Sequence, residues 1–93
     1  MSVEKKIELQ TSLSKITRAR RLRIKLGFDH ARTFAEHIGV EEDRWGQIER
    51  SGQISRALLI ILCGKIPGLS ADWLLFGKID GLSLKMAKIL TED

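Results

Sequence analysis

The 93-residue chain has one cysteine, one proline and no long apolar run, and each scarcity removes a class of protein. A single thiol cannot close an internal disulfide, so the fold is expected to stand on its core alone. Cys63 falls within the apolar run Ala57–Cys63, where a free thiol is expected to be an inert core residue. No stretch of about twenty apolar residues of the kind a spanning helix needs is present, and the start, Ser2-Val3-Glu4-Lys5-Lys6, lacks the apolar stretch of a signal peptide. The expectation is a soluble, cytoplasmic protein with no membrane partner. Period-two alternation, low complexity and internal repeats are also missing, which argues against strands and solenoids. Chemistry-bearing patterns are equally scarce. His30, His37 and Cys63 do not have a metal-ligand spacing, no Ser-His-Asp grouping lies on recognisable elements, and no glycine-rich phosphate loop follows a strand. The chain reads as no enzyme, with no cofactor and no metal.

What is present is enough Leu, Ile, Ala and Phe for one core in a chain of single-domain length. The net charge of +4 and pI near 9.6 suit a nucleic-acid partner without demanding one. Placement of the charge is more telling: Arg18, Arg20, Arg21, Arg23 and Lys25 cluster, whereas Glu41, Glu42 and Asp43 form an acidic run.

Residues 1–13 lack a sustained period and read as an N-terminal arm, disordered or partly helical. Ile16, Ala19, Leu22 and Leu26 then share one helical face, with Ser14 as the N-cap and Gly27 as the stop. At 100° per residue, Arg18, Arg21 and Lys25 line an edge away from that stripe, read as a solvated face or as a source of phosphate contacts, and Ile24 falls on its far side. A second helix is expected from Asp29 as N-cap through Ala31, Phe34, Ala35 and Ile38 to Gly39, and a third over Glu41 to Arg50 with Trp45 and Ile48 buried. His37 is expected on the solvent side of the second helix. Ser55 is the expected cap of a fourth helix to about Lys65, apolar almost all round and hence centrally buried; Pro67-Gly68 breaks it. Ser70 opens a fifth helix ending at Gly77, and a last stretch runs from Ser83 through Leu84, Ala87, Lys88 and Leu90. The fold class is therefore all-α: a compact five-helix domain over residues 14–77, with a C-terminal extension, 78–93, holding room for a sixth helix. Ile24, Leu82, Leu84, Ile89 and Leu90 exceed what a five-helix core needs and suggest self-association as a homodimer.

A steep crossing of two helices through a short turn needs a small residue on the first helix and a residue tolerant of positive φ in the turn. Ala35 and Gly39 have those properties, and Phe34, Ile38, Val40, Trp45 and Ile48 supply an apolar cluster at matching distances. Taken with Arg23-Ile24-Lys25-Leu26-Gly27, Ile48-Glu49-Arg50 and Asp72-Trp73-Leu74-Leu75 with Gly77, the chain from about Ile16 to Gly77 resembles the Cro and lambda-repressor type of helix-turn-helix regulators, the xenobiotic-response-element family.

That resemblance implies a lambda-repressor-like core, a helix over residues 30–38 lying on the DNA backbone, and a recognition helix over residues 41–50 in the major groove. It also implies an ion pair between Arg23 and Glu49. Base contacts are then expected from Glu42, Asp43, Arg44 and Gln47, with Arg44 suited to guanine and Gln47 to adenine. Backbone contacts are expected from His30, Arg32, Arg50 and Arg56. Three departures stand out. One extra residue between Gly27 and Gly39 leaves Ala31 where the family often carries a phosphate-clamping glutamine. Glu41, Glu42 and Asp43 open the recognition helix, either as helix-start anions or with one accepting from a cytosine amino group. Gly46 stands mid-helix, at a cost of about 1 kcal/mol relative to alanine. The function implied is a sequence-specific DNA-binding transcriptional regulator of bacterial or phage type, acting on double-stranded DNA. The acidic run keeps a second reading open, a protein-interaction module of antitoxin-like or anti-repressor kind. A third, a structural helical domain whose function lies in its tails, is the weakest.

Overall fold

The computed structural model describes residues 16–92, so the arm over 1–13 and the cap expected at Ser14 lie outside it. Every regular element among the described residues is an α-helix: α1 Arg18–Lys25, α2 Ala31–Ile38, α3 Glu42–Ser51, α4 Arg56–Lys65, α5 Ala71–Phe76 and α6 Leu84–Thr91. None is long and apolar enough to cross a membrane.

Four helices begin at a hydroxyl whose oxygen accepts a first-turn N–H. Thr17 accepts from Arg20 at 3.2 Å, Ser55 from Leu58 at 3.3 Å, Ser70 from Trp73 at 3.1 Å and Ser83 from Met86 at 3.1 Å. Each such cap contributes about 1 kcal/mol by satisfying a donor the helix itself cannot. The cap of α1 is thus Thr17, and Ile16 precedes the helix. At α2 the expected cap Asp29 lies one residue too early: His30 holds the extended cap conformation and makes no side-chain cap bond. Similarly α3 starts at Glu42, with Glu41 at the cap position making no side-chain bond to the first turn. Glu42 and Asp43 stand in its first turn, where the helix dipole favours anions.

Between α2 and α3 the chain turns through Gly39 at φ 77°, a left-handed conformation that side chains strain to adopt, and the Val40 N–H closes the turn on the Ala35 carbonyl at 2.9 Å. Burying Phe34, Ala35, Ile38, Val40, Trp45 and Ile48 holds the two helices together. The Phe34 ring packs at 4.8 Å from Trp45 and 5.1 Å from Phe28. His37 is exposed, with its ring beside that of Phe28. Leu22 of α1, Leu58 and Leu62 of α4, Trp73 and Leu74 of α5, and Met86 and Leu90 of α6 complete the same core.

Three expectations are corrected by this packing. Helix α4 is not buried all round: Leu58 and Leu62 face the core, but Ile60 is 65% exposed, because α2 and α5 cover only part of its circumference. Cys63 is only half-buried, packed against the core rather than within it, and burial still pushes its thiol pKa up. Leu90 is no surplus residue but core, with Leu82 and Ile89 packed against the cluster; of the apolar residues proposed for self-association, Ile24 and Leu84 remain exposed.

The basic edge of α1 is tied to two helix ends, with Arg18 still exposed and Arg21 and Lys25 half-buried. Arg18 donates to the carbonyls of Leu74 at 3.0 Å and Leu75 at 2.8 Å, in the last turn of α5. Arg21 donates to the Leu90 carbonyl of α6 at 2.9 Å, and Lys25 to that of Glu92. Three cations on one edge thereby meet carbonyls left over at two helix C-termini, where the dipole is negative.

Candidate functional site

The candidate site is built on α3, whose two sides differ because the heptad-like placement of Trp45 and Ile48 commits one of them to the core. Next to those residues, Glu49 meets Arg23 of α1 side-on, Nε to Oε2 at 2.8 Å and Nη2 to Oε1 at 3.2 Å. Their side chains are only 8% and 9% exposed. The remaining donors find partners: Arg23 Nη1 reaches the Phe28 carbonyl at 2.9 Å, and the indole N–H of Trp45 donates to Glu49 Oε2. Thr17, besides capping α1, donates its hydroxyl to the Glu49 carbonyl at 2.7 Å. A planar guanidinium matched to a carboxylate by two parallel bonds is the geometry in which burying both charges is tolerable.

Glu42, Asp43, Arg44, Gln47 and Arg50 are all exposed. Asp43, Arg44 and Gln47 fall within one sector of the helix at 100° per residue, and none makes a side-chain hydrogen bond or ion pair with another described residue. Glu42 lies on a different side, bordering a shallow recess of about 540 Å³ with His30, Arg32, Thr33 and Glu36 of the α2 entrance. There Arg32 already has a partner, an exposed contact to Glu36 at 3.4 Å one turn along, and Thr33 donates to the His30 carbonyl at 3.1 Å. Exposed pairs of this kind hold weakly.

A second recess of about 420 Å³ separates α1 from α3 and brings together Arg20, Gly46, Glu49 and Arg50, with Ala31 shared between the two recesses. Arg56 opens α4, exposed and bordering neither. The structure therefore gathers His30, Arg32 and Glu42 at one place, Arg50 at another, and Asp43, Arg44 and Gln47 on the outer sector. Arg20 had no assigned role in the sequence beyond membership of a basic cluster. The signal for it was Gly46, one turn before Arg50, since a glycine inside a helix marks a place where something approaches closely. Among the described residues no group of His, Cys, Asp and Glu is arranged to hold a metal ion. Comparison of the chain with family models, with curated proteins and with solved structures finds no match.

Proposed function

We propose that the chain is a cytoplasmic, sequence-specific DNA-binding regulator in which α2, the Gly39 turn and α3 act as a helix-turn-helix, α3 lying in the major groove. The observation that carries this reading is the outer sector of α3: Asp43, Arg44 and Gln47 are exposed and unpartnered on a helix whose inner side is clamped by Trp45, Ile48 and the Arg23–Glu49 pair. A rigid helix presenting free hydrogen-bonding groups meets the needs of base readout, in which Arg pairs with guanine, Gln with adenine, and Glu42 or Asp43 accepts from cytosine. His30, Arg32, Arg50 and Arg56 contribute backbone contacts in this reading, with Arg32 exchanging its weak Glu36 contact for a phosphate. One such domain reads few base pairs, so useful specificity calls for a homodimer on two half-sites.

Selection of bound duplexes from a random DNA pool tests the reading. Arg44→Ala and Gln47→Ala are expected to lose about 1–3 kcal/mol on the selected site and to relax preference at one base position each. Arg56→Ala is expected to weaken binding to all sequences and to flatten the dependence of log affinity on log salt by about one unit. A second reading, a protein-interaction module of antitoxin-like or anti-repressor kind, is favoured by one observation: the exposed carboxylates of Glu41, Glu42 and Asp43 at the start of α3, which repel phosphates. No preferred sequence from the pool, with Gln47→Ala without effect, decides for that alternative.

A further inference from the structure

Most arginines of the first two helices are engaged: Arg18 and Arg21 at helix C-termini, Arg23 with Glu49, Arg32 with Glu36. Arg20 and Arg50 differ. Both are exposed, both border the recess between α1 and α3, and neither side chain has a hydrogen bond or ion pair with another described residue. The one carboxylate bordering the same recess, that of Glu49, takes two bonds from Arg23 and one from Trp45, so its charge is already matched. Two arginines bordering one cleft, neither paired with a carboxylate among the described residues, concentrate positive potential there.

Gly46 forms part of the floor. A Cβ built on it would stand 3.3 Å from Nη1 of Arg50, a tight contact that the flexible end of this exposed side chain relieves by moving a few tenths of an ångström. The Arg50 guanidinium thus lies back against Gly46, at the edge of the cleft. Glycine is a poor helix former, so its place in the middle of α3 weakens the helix while keeping this approach open.

We infer that the Arg20–Arg50 cleft is a seat for a single phosphate group, held by the two guanidinium forks. Planar guanidinium groups match phosphate oxygens with paired, charge-assisted hydrogen bonds, and a bound anion relieves the repulsion between them. Two sources supply that chemistry, a DNA backbone phosphate and free inorganic phosphate. The first rests on the DNA-binding reading above and adds Arg20 to its backbone contacts; the second does not depend on it.

Two measurements on the full chain test the inference: titration with inorganic phosphate at constant ionic strength, following the arginine Nε–Hε signals and the Gly46 amide by NMR, and duplex binding over a salt series. Saturable shifts at Arg20, Arg50 and Gly46, lost in both Arg20→Ala and Arg50→Ala, are expected. On selected and scrambled duplexes alike, either substitution is expected to weaken binding about tenfold at low salt and to reduce the salt slope by about one unit. Because one phosphate is shared, the double variant is expected to lose no more slope than either single one. Gly46→Ala is expected to raise the denaturation midpoint, alanine being the better helix former, and to weaken phosphate binding less than either arginine substitution. A phosphate response with duplex binding unchanged in Arg20→Ala assigns the seat to free phosphate. The same response in a wild-type chain that binds no duplex keeps the seat and removes the DNA reading. Absence of a saturable phosphate response, together with unaltered duplex affinity in Arg20→Ala or no duplex binding at all, overturns the inference.

Discussion

The inner side of α3 carries one charged residue, Glu49, and the outer sector three charged or polar ones, but only the inner one is spoken for. Glu49 is held by Arg23, Trp45 and, through its carbonyl, Thr17, so its charge belongs to the fold. Asp43, Arg44 and Gln47, on the same helix, are bonded to no other described side chain and remain available to an outside molecule. Polarity alone does not mark a functional residue; what separates the two sides is whether hydrogen-bonding capacity is consumed within the protein.

The sharpest way to break this contrast is to remove Glu49. Glu49→Ala leaves a nearly buried guanidinium and an indole N–H without their acceptor, and is expected to lower stability by about 3–5 kcal/mol. Urea denaturation with an unchanged midpoint would show that the pair is no part of the fold's stability. The core behind α1 offers the next largest effect. Leu90→Ala in α6 is expected to cost about 2–5 kcal/mol, as for other fully buried leucines. Leu84→Ala, at a residue 92% exposed in the same helix, is expected to stay within about 0.5 kcal/mol by thermal unfolding. On the outer side of α3, Arg44→Ala and Gln47→Ala are expected to change stability by less than about 0.5 kcal/mol; a larger loss in chemical denaturation would mean that these residues, too, serve the fold.

The smallest effect concerns Cys63. Burial raises its thiol pKa, so the folded protein at neutral pH should react with iodoacetamide more slowly than the urea-unfolded chain, since the thiolate is the nucleophile. The sign for stability follows. With the folded pKa above the unfolded one, the contribution is present below the ordinary thiol pKa and fades as pH rises through the folded value. Equal alkylation rates in the two states would contradict the raised pKa.

The all-helical architecture was legible because its punctuation is chemical. Ser55, Ser70 and Ser83 announce helix starts, and Gly39 and Gly77 take the left-handed conformation that ends a helix. Two boundaries went astray where the cap is weak: His30 and Glu41 make no cap bond, and Asp29 offers a false signal; at α1 two hydroxyls competed, and Thr17 rather than Ser14 makes the cap bond. Burial was misread on α4 and α6 for another reason. Apolar character says that a side chain loses water favourably, not which neighbour removes it, and so Ile60 and Leu90 were indistinguishable until the packing partners were known. Of the candidate site, the outer sector of α3 follows from 3.6-residue periodicity. The fate of Arg18, Arg21 and Lys25 does not, because their acceptors are backbone carbonyls, which every residue carries.

Those last contacts impose a schedule on biosynthesis. Arg18 meets a carbonyl 56 residues further along, and Arg21 meets one 69 residues further along. At translation rates of roughly 5–20 residues per second, the Leu90 carbonyl leaves the ribosome on the order of 3–14 s after Arg21. Through that interval the α1 edge of the nascent chain lacks the α6 end that it holds in the finished protein, and for most of it the α5 end as well. Closing so long a loop is an entropic cost met only when the distant partner exists. Final docking of α1 therefore waits until α6 is free of the exit tunnel.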